Sequence, residues 1–207
     1  MASKSRHFRK HMKRARRRLL ENGAVFRLAR TQPAVDQGLV TFVGLHEGRW
    51  SWRGGSRFLD PKVELMLREA AREMVPDLRF RLWSIEIGGA TISSHIFLAA
   101  GGEIAHWLGG FDAAWADCQP SLQAILLAIE HGYESGDRRL DLGAGQESYK
   151  QRFADSQEIL QRVILVRPTR RGSRVLVRLL GERVVKGLRA RLGNLRQRTI
   201  EASQISR

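Results

Sequence analysis

The chain has 207 residues, 43% of them hydrophobic, and a formal net charge of +15. Such length and apolar content fit one packed domain with extensions and exclude a disordered chain. A single cysteine, Cys118, excludes an internal disulfide and fits a reducing, cytoplasmic setting. No apolar run reaches the ~18 residues of a membrane helix. No secretory leader is expected, because Leu19-Leu20 is followed at once by Glu21.

The charge is unevenly placed. Residues 1–21 hold nine Lys/Arg against Glu21 alone, and residues 161–207 hold thirteen against Glu182 and Glu201. Residues 22–160 hold fourteen against eighteen acids. An ordinary, slightly acidic domain thus lies between two basic arms. What such arms attract is anionic: tRNA, an anionic membrane surface to which the protein would be peripheral, or phosphate-bearing substrates. Solvated helices that add only solubility are the bland alternative.

Residues 4–20 are dense in Lys, Arg and Leu and predict a helix, with Phe8, Met12, Ala15 and Leu19 on one thin apolar stripe. Asn22-Gly23 stops it. Ala24–Ala29 predicts a short strand. Residues 34–48 predict a second helix with Val35, Leu39, Phe42 and Val43 inward, and Arg49–Gly55 a loop carrying Trp50 and Trp52. Asp60 and Pro61 suit the start of a helix over 61–74, with Val63, Leu65, Met66, Leu67, Ala70 and Met74 as its apolar positions. Phe80–Ile87, 90–99 and 103–109 predict an antiparallel meander turned by Gly88-Gly89 and Gly101-Gly102. Pro120 opens a helix to about Tyr133. Arg139–Leu142 predicts a strand, Gly143-Ala-Gly145 a turn, and 147–153 a short helix. A last strand is expected over 159–166 and a long basic helix over 174–198. The order predicts an α/β fold with a mixed, mostly antiparallel sheet flanked by helices and basic terminal helices. The expected boundaries are 1–23 for the basic helix, 24–167 for the domain and 168–207 for the basic tail.

One string is dense in chemistry: Asp141-Leu-Gly143-Ala-Gly145-Gln-Glu-Ser-Tyr149-Lys150. A carboxylate ends a strand, two glycines let backbone approach a ligand, and Tyr149 and Lys150 supply a proton donor and a positive charge. The plain reading is Asp141 capping its turn, Tyr149 in the core and Lys150 in solvent.

Together with the Gly101-Gly102-Glu103 turn, Trp107-Leu-Gly-Gly-Phe111-Asp112 and Pro120, the string resembles the GNAT acyltransferases. The resemblance points to their CelD-like (cellulose-biosynthesis) branch, related to FemAB-like aminoacyltransferases. Weaker similarity runs back through Leu45-His46-x-x-Arg49-Trp50 to Arg6–Leu20. FemAB-like proteins carry such domains in tandem; this chain resembles one C-terminal half.

The resemblance implies transfer of an acyl group to an amine or hydroxyl on a small or envelope-linked acceptor. It implies a donor lying where strands 103–109 and 138–142 splay, with its phosphates near the helix that starts at Pro120. The implied binding residues are Asp141, Gly143, Gly145, Lys150, Gln119 and Ser121. The loop Ala116–Ser121 has no glycine and carries Asp117, unlike the usual coenzyme A loop, so acetyl-CoA or another acyl-CoA stands beside aminoacyl-tRNA as donor. Tyr149, His106 and Glu86 are the candidates for proton transfer, and His95, sharing a face with Ser93 and Phe97, a candidate for the acceptor wall. No Cys/His cluster suggests a metal. The other classes left open are a non-enzymatic RNA- or membrane-binding module and an inactive half of a tandem transferase.

Overall fold

A computed structural model describes residues 4–50, 56, 60–145, 147–161, 163, 165, 166, 169, 174, 175, 177, 178 and 181. The chain separates into two units, Met1–Gln157 and Glu158–Arg207.

In the first unit, helix α1 (Arg6–Glu21) starts at Ser5, whose hydroxyl accepts from Phe8 N–H. Its stripe of Phe8, Met12, Ala15 and Leu19 is buried as the spacing predicts. Strand β1 (Val25–Leu28) follows, then α2 (Gln32–Trp50). The expected second helix therefore runs further than 34–48: Arg49 and Trp50 are helical rather than part of a loop. Trp52 and Gly54-Gly55 lie outside the described residues, as does the Trp50 side chain. Helix α3 (Pro61–Met74) is capped by Asp60, whose Oδ1 accepts from Lys62 and Val63 N–H. It buries Leu67 and Ala71, whereas Leu65 and Met66, two more of its apolar positions, are 58% and 49% exposed. The helix covers the sheet with one narrow edge.

Strands β2 (Phe80–Ile87), β3 (Ala90–Ala100) and β4 (Glu103–Phe111) form the meander. Both of its turns need left-handed backbone at two successive residues, which the Gly-Gly pairs supply with φ of 58° and 80° and of 59° and 78°. Strand β4 extends two residues past the expected end at 109. After a 3-10 helix (Ala113–Cys118) come α4 (Pro120–Glu134), β5 (Arg139–Asp141) and α5 (Ser148–Phe153).

The sheet order is β1-β2-β3-β4-β5, with β5 parallel to β4 and the rest antiparallel. Alternation along the strands gives each face its own core. Trp83, Phe97 and Ile104 pack with Phe8 and Met12 of α1, Ile125 and Leu126 of α4 and Phe153 of α5. On the other face Phe80, Leu82 and Ile96 pack with Val35, Leu39 and Phe42 of α2 and Leu67 of α3. A buried ion pair, Arg81 to Asp137 at 2.6 Å, ties β2 to the turn that leads into β5.

In the second unit, the described residues within 159–166 form no strand, and Ile159, Leu160, Val163 and Leu165 are exposed. Most of the expected basic helix 174–198 lies outside the described residues.

Candidate functional site

Two features of β4 build the site. The first is its length. Strand β5 pairs with it only at Glu103–Ala105, opposite Arg139–Asp141, while β4 runs on to Phe111. Beyond Ala105 no strand pairs that edge of β4 among the described residues, so the sheet splits there, as expected for residues 103–109 and 138–142.

The second is a bulge. The β3–β4 register shifts between Ile96 and Phe97, so Phe97 faces His106 while Ile96 faces Leu108. The extra residue, Trp107, turns with Leu108 to the α2 face, where both pack. Gly109 then falls opposite His95. A Cβ at Gly109 would sit 2.0 Å from the His95 ring, and one at Gly110 would sit 2.5 Å from the backbone of His46 in α2. The glycine pair is therefore a place of close packing on both faces of the sheet, not a turn.

A cavity of about 220 Å3 occupies the split. His95 and His106 line it from the sheet, Gln119, Ser121 and Ile125 from α4, Tyr149 from α5, and Arg49 and Phe111 from its rim. Arg49 lies over the Phe111 ring at 5.1 Å, a cation–π contact.

Imidazole nitrogens of His95 (Nδ1) and His106 (Nε2) lie 3.0 Å apart and share one hydrogen bond. Burial is the main cause that lowers both pKa values: His95 is pushed well below the usual 6.5, and His106 to about 4. Both rings are thus neutral at pH 7, one donating and the other accepting. The remaining nitrogen of His95, Nε2, is buried without a partner.

Two more orphaned atoms stand at the start of α4, Gln119 Oε1 and Ser121 Oγ. Gln119 is left-handed at φ 49° and makes no side-chain cap, so the helix N-terminus carries no capping acceptor of its own. Buried polar atoms are normally bonded. His95 lines the cavity from the sheet and Gln119 and Ser121 from the start of α4, a helix end whose dipole favours an anion such as a phosphate of a coenzyme A-type donor. Asp117, the acid that sets this loop apart from the usual coenzyme A loop, is exposed and does not line the cavity.

The Asp141–Lys150 string is placed differently. Asp141 Oδ1 accepts from Gly143 N–H at 2.7 Å. Lys150 Nζ donates to the Gly143 and Ala144 carbonyls at 3.3 and 2.7 Å, and pairs with Glu147 at 2.9 Å. That pairing holds the Glu147 carboxyl below its usual pKa. Asp141, Gly143 and Lys150 therefore fasten the loop that carries Tyr149 to the cavity, and Gly145, whose Cβ would meet the Glu147 carboxylate, leaves room for that side chain. Burial raises the Tyr149 pKa, so its hydroxyl keeps its proton and acts as a donor. Glu86 lies elsewhere: on β2, beside β1, it accepts from Arg27 at 2.7 Å and does not line the cavity.

Sequence reasoning named His46 only within the weaker resemblance and gave it no role. It extends the Val35, Leu39, Phe42 stripe by one more helical step and is 2% exposed. Its Nδ1 donates to the Gly109 carbonyl at 3.1 Å, since a carbonyl only accepts, and its Nε2 accepts from the Ser56 hydroxyl at 2.8 Å. It thereby holds β4 beside the cavity. Among the described residues no group of His, Cys, Asp or Glu is arranged to hold a metal. No described helix is long and apolar enough to cross a membrane.

Residues 6–151 match the family model of the acetyltransferase (GNAT) domain. The chain belongs to that family. Among solved structures it is similar to an aminoglycoside acetyltransferase from an uncultured soil metagenomic sample, in complex with sisomicin. The TM-score is 0.51 at 12% identity, over 70% of this chain and 99% of that one. It is also similar to a predicted acetyltransferase with acetyl-CoA from Clostridium acetobutylicum, with a TM-score of 0.51 at 9% identity, over 69% of this chain and 95% of that one. At these identities the likeness is one of fold. No curated protein sequence matches the chain.

Proposed function

We propose that this protein transfers an acyl group, acetyl in the simplest case, from an acyl-CoA to an amine. The observation that carries the reading is the cavity at the β4–β5 split, lined by Gln119 and Ser121 at a helix N-terminus without a side-chain cap, by His106 and by Tyr149. The α4 wall would take the donor's phosphates and amides. The unpaired edge of β4 would place the acyl carbonyl against backbone N–H groups. The amine nitrogen bonds to the acyl carbon as the carbon–sulfur bond breaks, and Tyr149 gives its proton to the sulfur. A pKa of about 4 makes His106 a poor store for the amine's surplus proton. It serves better as a hydrogen-bond acceptor that aims the amine, whose proton leaves to water and is replaced on Tyr149 from water.

Among the described residues the lining contains no carboxylate, and Arg49 carries its formal charge. This supports an acceptor without a polycationic body, unlike sisomicin. The Asp141–Lys150 string and the single domain support a CelD-like or FemAB-like branch and an envelope-linked acceptor, but nothing in the cavity demands an aminoacyl-tRNA.

The test is release of free thiol from acetyl-CoA in the presence of a panel of amines, alongside calorimetric binding of acetyl-CoA. Saturable binding and amine-dependent thiol release are expected, the release being lost in Tyr149→Phe. Absence of acetyl-CoA binding at millimolar concentration would refute the reading.

A further inference from the structure

Helix α1 buries one stripe in the core and shows the rest of its circumference to solvent. Its exposed residues include Arg6, Lys10, Lys13, Arg14, Arg17 and Arg18. At 100° per residue all six fall within an arc of about 140°, opposite the buried stripe. The helix is about 24 Å long. A straight basic ridge therefore runs from Arg6 to Arg18, with the exposed Glu21 on the same arc at the helix end.

Five of these six charges form no ion pair among the described residues. Arg16, outside the ridge, makes a bidentate pair with Glu130 at 2.7 Å and joins α1 to α4. Arg17 pairs with Glu21 at 3.4 Å. Arg6, Lys10, Lys13, Arg14 and Arg18 have no carboxylate partner among the described residues. Like charges four apart, such as Arg6 with Lys10 and Lys10 with Arg14, oppose the helix. Arg6 also sits in a first turn that has no acid, against the helix dipole. Folding alone would favour fewer cations here.

The ridge is convex and wide, and so fits a plane better than a groove. Its one Phe is buried, and it has no Tyr or Trp, so it offers nucleic-acid bases no Phe, Tyr or Trp platform. At its C-terminal end Leu20 and Val25 are 54% and 45% exposed, two apolar side chains beside the cations. A basic face edged by exposed apolar groups suits the headgroup layer of an anionic bilayer. We propose that the exposed face of α1 docks the protein on an anionic lipid surface. The inference is independent of the acyl-transfer reading, since none of these residues lines the cavity.

Sedimentation of the full chain with vesicles tests it. Binding to vesicles containing phosphatidylglycerol is expected to be at least tenfold tighter than to pure phosphatidylcholine, and to weaken with salt. A Lys10→Glu/Lys13→Glu/Arg14→Glu variant is expected to lose at least tenfold in that binding. It should keep the wild-type melting temperature and acetyl-CoA binding. The Gln versions of the same three positions, which remove charge without reversing it, should fall between. Three results would overturn the proposal: equal binding to both vesicle types, wild-type binding by both triple variants, or tighter binding to duplex RNA than to anionic vesicles at one salt concentration. Acetyl-CoA binding is read separately on every variant, so failure here leaves the catalytic reading standing or falling on its own assay.

Discussion

The two walls of the cavity use their polar groups in opposite ways. On the β5–α5 side, Asp141, Lys150 and Glu147 satisfy one another and the loop backbone at 2.7 to 3.3 Å. On the β3–α4 side, His95 Nε2, Gln119 Oε1 and Ser121 Oγ are buried without partners. A closed network holds a shape, whereas an open one leaves bonding capacity for something else. The most conspicuous string in the sequence thus has its polar groups engaged in its own loop, whereas those of the inconspicuous wall are left unpaired.

Breaking this contrast should be easiest at Tyr149, which among the described residues of the closed side is the one that lines the cavity. Tyr149→Phe should lower kcat about a hundredfold or more, with the melting temperature nearly unchanged, as expected for loss of a proton donor. A kcat within a few-fold of wild type would remove Tyr149 from the chemistry.

On the open side, Gly109→Ala drives a methyl into the His95 ring. A loss of roughly 2–3 kcal/mol in urea unfolding is expected, together with weaker acetyl-CoA binding. Wild-type stability would mean that the ring yields without cost.

Acid should reach the same wall. The folded state keeps His95 and His106 neutral, while the unfolded chain takes up their protons near the usual 6.5. Stability is then full above pH 6.5 and declines as pH falls toward 4, by about 3 kcal/mol from His106 alone. Urea midpoints across that range measure it, and a flat profile would show that the two rings are protonated in the native state.

The smallest effect belongs to the closed network. Lys150→Met should cost about 1 kcal/mol and leave acetyl-CoA affinity within a few-fold. More than tenfold loss of affinity would make Lys150 a ligand contact and reverse the contrast.

Much of this frame was legible in the sequence. Paired glycines marked both hairpin turns, Asp60-Pro61 marked a helix start, and the stripe Phe8, Met12, Ala15, Leu19 marked the buried side of α1. The split between β4 and β5 followed from the resemblance. What eluded sequence reading depends on register. Simple alternation from the Gly101-Gly102 turn would set Leu108, not Gly109, against His95. Only the bulge at Trp107 admits the His95 ring, and a bulge leaves no periodic signal. The partners of Lys150 are backbone carbonyls, which no side-chain pattern reveals. His46, by contrast, could have been found, because it simply continues a helical stripe whose apolar members were already recognised.

The packing of α1 against α5 has a consequence for synthesis. Phe8 stacks edge-on against Phe153 with ring centres 5.0 Å apart, and Lys4 bonds to Ala154 and Asp155. The basic helix therefore leaves the ribosome long before its last partners exist. At ordinary translation rates it waits on the order of ten seconds, with its apolar stripe uncovered. Contacts of such long sequence separation form late, so closure between the two ends of the unit is the natural final step of folding. A chain stalled before residue 153 would present an exposed, cationic, amphipathic helix to whatever surrounds it.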